Sequence, residues 1–175
     1  MRLAKEYKIK LISLKYLVLL ILLTSVIPVL NAQEPPPRPI RITPTAQILS
    51  FGAFYHGISG GTVTVFPDNS RLASGDVVLL NLGYTVTAAR FEVHAHPGTV
   101  IAILNGPPTL LTGGTPPGSM QLTVGSSYPA SPFVSNVHFN VPIYLDVGGI
   151  LDVGNTAANP PGSYTGTFNI TLVRE

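Results

Sequence analysis

The 175-residue chain contains no cysteine and no tryptophan, and only 10% of its residues are charged. Without cysteine there is no disulfide framework, no thiol nucleophile and no zinc–thiolate site. Lysine is also absent from everything beyond Lys15, so from Gln33 onward five Arg stand against seven acids, a formal charge of −2 where the whole chain has +2. That reversal removes the only electrostatic support for nucleic-acid binding. The chain carries no phosphate-binding or dinucleotide glycine loop and no nucleophile elbow. After the first 32 residues, no stretch shows an apolar stripe at helical spacing.

Glycine and proline are abundant instead, 17 of each, well above their joint average of about one residue in eight. They accompany 45% hydrophobic residues, too many for a disordered chain. A turn-rich, all-β globular domain is the class that fits.

The basic residues are concentrated at the start. Arg2, Lys5, Lys8, Lys10 and Lys15 precede the uncharged, mostly apolar run Tyr16–Leu30, broken near its end by Pro28. That run is shorter than the roughly 20 residues of a membrane-spanning helix. The pattern predicts a secretory signal peptide over residues 1–32, cleaved after Ala32, with an uncleaved N-terminal anchor as the lesser reading. The mature protein is then expected in the periplasm or at the cell surface, without a stable membrane span. Residues 33–39 (QEPPPRP) form an extended Pro-rich lead-in, and residues 40–175 a single domain.

Within that domain apolar residues alternate with polar ones. Val63 and Val65 alternate with Thr62 and Thr64, and Pro67-Asp68-Asn69-Ser70 is a turn into the next strand. Phe91, Val93 and Ala95 share one face against Arg90, Glu92 and His94. Met120, Leu122 and Val124 face away from Ser119, Gln121 and Thr123. Tyr164, Gly166, Phe168, Ile170 and Leu172 read as one face of a last continuous strand. Further strands are predicted at Val77–Leu80, Thr99–Leu104, Val134–Phe139 and Ile143–Val153. Each has a single apolar face, and burying it requires a facing sheet. The expected fold is an antiparallel β-sandwich of about nine or ten short strands, Ig-like or pilin-like in style.

Several of these segments, in order, resemble the bacterial secreted family DUF4402. They are Leu49-Ser50-Phe51-Gly52, Gly61-Thr62-Val63-Thr64-Val65 before Pro67-Asp68, Phe91-Glu92-Val93, Val147-Gly148-Gly149-Ile150-Leu151-Asp152-Val153, and the closing Gly162–Ile170 stretch. The resemblance spans about residues 40–173. It implies an exported β-sandwich of pilin or spore-coat type and brings no catalytic or binding residues with it.

His94-Ala95-His96 is the conventional site candidate, because positions i and i+2 of a strand share a face. Two imidazoles fall short of the three or four protein ligands of a zinc site, and Pro97-Gly98 ends the strand at once. Asp146 and Asp152 lie in a duplicated tetrapeptide, Leu145-Asp-Val-Gly148 and Leu151-Asp-Val-Gly154. A loop at Gly148-Gly149-Ile150 would fold it into a hairpin and oppose the two carboxylates, which costs stability unless a cation or Arg intervenes. His94, His96, Asp146 and Asp152 come nearest to metal ligands, yet neither a metal nor any other cofactor is expected, nor are catalytic residues. Tyr128 and Tyr144 suit a sugar-stacking face, whereas Tyr164 lies on its strand's apolar side and suits the core.

The arm Ile40–Ile48 alternates apolar and polar residues around Pro44. It either completes its own domain or adds to a neighbour as a strand. The expected function is therefore an exported, non-catalytic structural or adhesive surface module, self-associating through that arm or binding other surface proteins. The alternative is a carbohydrate- or small-ligand-binding sandwich using loops such as Tyr55–Gly60 and Gly113–Gly118.

Overall fold

In the computed structural model the described residues are 39–175; the expected leader and residues 33–38 of the lead-in lie outside them. Thirteen strands and no helix occur among the described residues. In chain order they are β1 Arg41–Pro44, β2 Ser50–Phe51, β3 Ala53–Val65, β4 Arg71–Leu80, β5 Val86–Thr87, β6 Ala89–His94 and β7 Val100–Asn105. β8 Thr109–Gly113, β9 Gly118–Tyr128, β10 Phe133–Val134, β11 Ile143–Val153, β12 Tyr164–Thr165 and β13 Ile170–Arg174 complete the set. All pairings are antiparallel, giving the all-β, sandwich-like arrangement that the alternation predicts. The count exceeds nine or ten because several elements are only two residues long.

β11 organises the main sheet. Along one side it pairs with β9; along the other, Ile143–Val147 pairs with β6 and Gly149–Val153 with β3. The expected hairpin at Gly148-Gly149-Ile150 is thus replaced by one continuous strand, with a bulge between Val147 and Gly149. The physical reason is a close approach. A Cβ on Gly148 would collide with the carbonyl oxygen of Val65, so the glycine lets β3 abut the place where β6 leaves off. Asp146 and Asp152 consequently lie along one strand and do not face each other.

The β3–β4 hairpin folds over on itself. Its turn is the predicted one: Asn69 adopts φ 66°, and Phe66 N–H donates to the Ser70 carbonyl at 2.9 Å. Asp68 accepts from the Ser70 hydroxyl and backbone N–H, which holds its carboxyl below its ordinary pKa. Further along, the register slips between His56 and Gly61, opposite Asp76 and Gly75. Gly60 and Gly75, at φ +66° and +70°, supply the left-handed backbone that the bend needs. Arg71, paired with Val65 near the turn, therefore reaches the far end of the same hairpin. It donates to the carbonyls of Phe51, Ala53 and Leu80 at 2.9, 3.0 and 2.6 Å.

Folding the hairpin over encloses the first core cluster, where Val63 and Val65 from one half meet Val77, Phe54 and Leu79 from the other, with Met120, Leu122, Leu151 and Val153 beneath. A second cluster joins Val93, Leu145 and Val147 of the main sheet to Ile101 and Phe133 of the facing sheet β10–β7–β13. Ile40 and Ile42 of the arm pack on this second cluster, because β1 pairs with β6 of its own chain from Arg41↔His94 to Pro44↔Phe91. Pro44 sits at the end of that edge ladder, where its missing N–H is tolerated.

Two strand readings need correction. The expected last strand is two: β12 pairs with β8, and β13 pairs with β7 in the other sheet. Phe168, in the crossing between them, packs against both clusters. Val134–Phe139 is strand only at Val134, since the chain then turns away, and Ser135 is pinned by its hydroxyl to the Ala95 carbonyl at 3.1 Å.

Candidate functional site

The chemistry-bearing side chains gather on the outer face of β6, β11 and β9. The inner-facing alternates Val93, Leu145 and Val147 are fully buried, which turns Arg90, Glu92, Tyr144 and Asp146 outward. Register sets the neighbours: Tyr144 lies opposite Glu92, and Asp146 lies between Arg90 on one side and Tyr128 on the other. Thr43 of β1 extends the Glu92 row.

Arg90 grips Asp146 in a fork, Nε to Oδ1 at 2.7 Å and Nη2 to Oδ2 at 3.0 Å. This short bidentate geometry is the strong form of a carboxylate–guanidinium contact. The hydrogen bond to Asp146, then its charge, raise the Arg90 pKa further, so the guanidinium stays charged at every working pH. Its carbon lies 5.5 Å from the Tyr144 ring centroid, within cation–π range. Asp146 is nearly buried although charged, and this fork is what compensates its loss of water. Tyr128 and Tyr144, by contrast, are 71% and 51% exposed.

The histidines do other work. His94 Nδ1 lies 2.9 Å from the Phe139 carbonyl oxygen, and the His96 ring stacks on Phe139 with centroids 4.9 Å apart. Both rings thus fasten the 135–140 segment to the end of β6. His56 Nε2 lies 2.9 Å from the Asn159 carbonyl oxygen, far along the chain from either. Asp152 is exposed, with Thr62 and Gln121 as cross-strand neighbours. No three His, Asp or Glu side chains among the described residues are placed to hold a metal ion.

Of the two expected ligand loops, Tyr55–Gly60 is part of β3 and forms the hairpin bend, where His56 and Gly57 pack against neighbours while Tyr55 and Ile58 remain exposed. Gly113–Gly118 joins β8 to β9 and closes over Tyr164. The Tyr164 hydroxyl donates to the Pro160 carbonyl at 2.6 Å, and burial raises its pKa, in keeping with a core role.

Sequence reasoning missed two polar anchors. One is the Arg90 partner of Asp146, which stands 56 positions away. The other is Asn159, whose fully buried side chain accepts from the Gly154 N–H and donates to the Ser119 and Ala158 carbonyls. Its only signal is an Asn before Pro160-Pro161, which reads as simple turn grammar.

Comparison with curated proteins and with solved structures yields no match. The family model described as domain of unknown function (DUF4402) matches residues 40–173, nearly the whole described chain. Every segment that carries the sequence resemblance lies inside that span, and the chain belongs to the DUF4402 family.

Proposed function

We propose that the chain is an exported, non-catalytic module of the bacterial cell surface, periplasmic or external, with a structural or adhesive role. The observation that supports this reading is how the reactive side chains are engaged. Arg71 ties three carbonyls, Arg90 and Asp146 hold each other, and His56 and His94 lie on backbone carbonyls. A catalytic acid or base has to change partners during turnover, whereas these groups hold strands and loops together. The exposed tyrosines beside them offer contact area. Export rests on the basic, apolar leader.

The arm supplies a route to assembly. β1 donates Ile40 and Ile42 to a cluster and occupies the β6 edge through four residue pairs, and a second copy's β1 can take the same place. Expression of the full chain in a bacterial host, with fractionation and intact mass, tests the reading. The exported species should lack residues 1–32, and light scattering should show larger species as concentration rises toward millimolar. Retention of Met1–Lys15 on the exported chain overturns cleavage of the leader, recovery of the chain in the cytoplasmic fraction alone overturns export, and a strictly monomeric, non-adherent product overturns the structural or adhesive role.

A further inference from the structure

We propose that the outer face around Tyr128 and Tyr144 is a binding site for neutral pyranose oligosaccharides; this deepens the adhesive reading and rests on it. The two rings come from adjacent antiparallel strands. Tyr128 lies opposite Asp146, and Tyr144 precedes Asp146 by two residues on the same face. They are diagonal neighbours, their Cα atoms about 7–8 Å apart, so one face of the sheet offers two exposed rings to successive residues of a sugar chain. Both rings are more than half exposed, and the flat C–H face of a pyranose covers such a ring while its hydroxyls point sideways.

What lies sideways is polar and already held in place. The Arg90–Asp146 fork adjoins both tyrosines, Asp146 lying opposite Tyr128 and the guanidinium carbon 5.5 Å from the Tyr144 ring centroid, so the charged pair needs no ordering on binding. The Glu92 carboxylate and the Arg90 guanidinium, both part-exposed, supply an acceptor and donors that sugar hydroxyls match.

Charge selects the class. Arg90 is neutralised by Asp146, and Glu92, opposite Tyr144, has the exposed Arg41 of β1 as its diagonal neighbour on the same face. The face thus carries no net charge: a neutral sugar meets no penalty, and a uronate, a sialate or a phosphate finds no surplus cation.

The test is a glycan array carrying neutral hexopyranose oligosaccharides and their uronate- and sialate-bearing counterparts, probed with the mature chain. The neutral arm should bind, and the acidic arm should bind no more tightly. Tyr128→Ala and Tyr144→Ala should each weaken binding about tenfold, while Tyr144→Phe, which keeps the ring, stays within about threefold. Both tyrosines are exposed, so thermal unfolding of the variants should be unchanged, which separates lost binding from lost fold. Failure to bind any neutral glycan, preference for acidic ones, or full binding by the double Ala variant overturns the site. So does undiminished binding of the chain to a surface protein stripped of its glycans, which would make the partner a polypeptide. Cell adherence that survives in the double variant removes the site and leaves the adhesive reading standing; absence of adherence in the unaltered chain, with array binding intact, does the reverse.

Discussion

The two copies of Leu-Asp-Val-Gly in β11 have the same letters and opposite fates. In both, the Leu and Val side chains enter the core: Leu145 and Val147 the second cluster, Leu151 and Val153 the first. Their aspartates diverge. Asp146 faces Arg90 and is nearly buried in a bidentate pair, whereas Asp152 faces Thr62 and Gln121 and is exposed. Their glycines diverge too, Gly148 passing beneath the Val65 carbonyl and Gly154 donating to Asn159. Local sequence therefore sets which side of the strand a residue occupies, while the neighbouring strand sets what it does there.

The comparison predicts where the copies should behave alike. Leu145→Ala and Leu151→Ala empty similarly closed sites, at 0% and 2% exposure, and should each cost about 2–5 kcal/mol in urea unfolding. A large inequality between them would mean that one cluster relaxes around its cavity and the other does not. The next effect belongs to one copy alone. Gly148→Ala places a methyl against the Val65 carbonyl and should destabilise by about 1–3 kcal/mol, with hydrogen exchange rising first along Val63–Val65 if the β3 contact is what yields.

The aspartates should separate the copies most clearly at small cost. Asp152→Ala should leave stability within about 0.5 kcal/mol. Asp146→Ala strands the Arg90 guanidinium beside Tyr144 and should lower the urea midpoint clearly more, and Arg90→Ala added to it should recover part of the loss, as a double-mutant cycle would show. Equal midpoints for the two Asp variants would reduce the fork to a surface contact. The smallest effect is one of pH. Burial raises the folded-state pKa of Tyr164, so its contribution is fully present below about pH 10, the unfolded value, and fades as pH rises through the folded value. Tyr164→Phe should abolish that alkaline sensitivity in a stability–pH profile.

Face assignment was the legible part of the fold. Val63 and Val65, Met120, Leu122 and Val124, and Val93 and Ala95 are all buried as their alternation requires, and the Pro67–Ser70 turn is where its residue types put it. Strand continuity was not legible. Gly148-Gly149 spells a local turn as readily as a close passage, and only the arrival of Val65 decides between them. Tyr164–Leu172 alternates without a break, yet it serves two sheets, because inward parity is conserved while the partner changes. At the site, Tyr128, Tyr144 and Asp146 were each visible singly. Their assembly was not, since it depends on the registers of β6 and β9 against β11.

The late position of β11 has a consequence for the order of events in time. A polypeptide emerges from synthesis N-terminus first, and the β3–β4 hairpin, the β1–β6 ladder and the β8–β9 hairpin can each close as they arrive, since their partners are already present. The backbone ladders of the three are joined to one another in the main sheet through Ile143–Val153, while a side-chain contact, Ala88 N–H to Asn69 Oδ1, ties the β3–β4 turn to the approach to β6. Before that segment of β11 appears, the three have no ladder partner along the edges of β3, β6 and β9 that it will pair with. One strand then converts them together into a sheet.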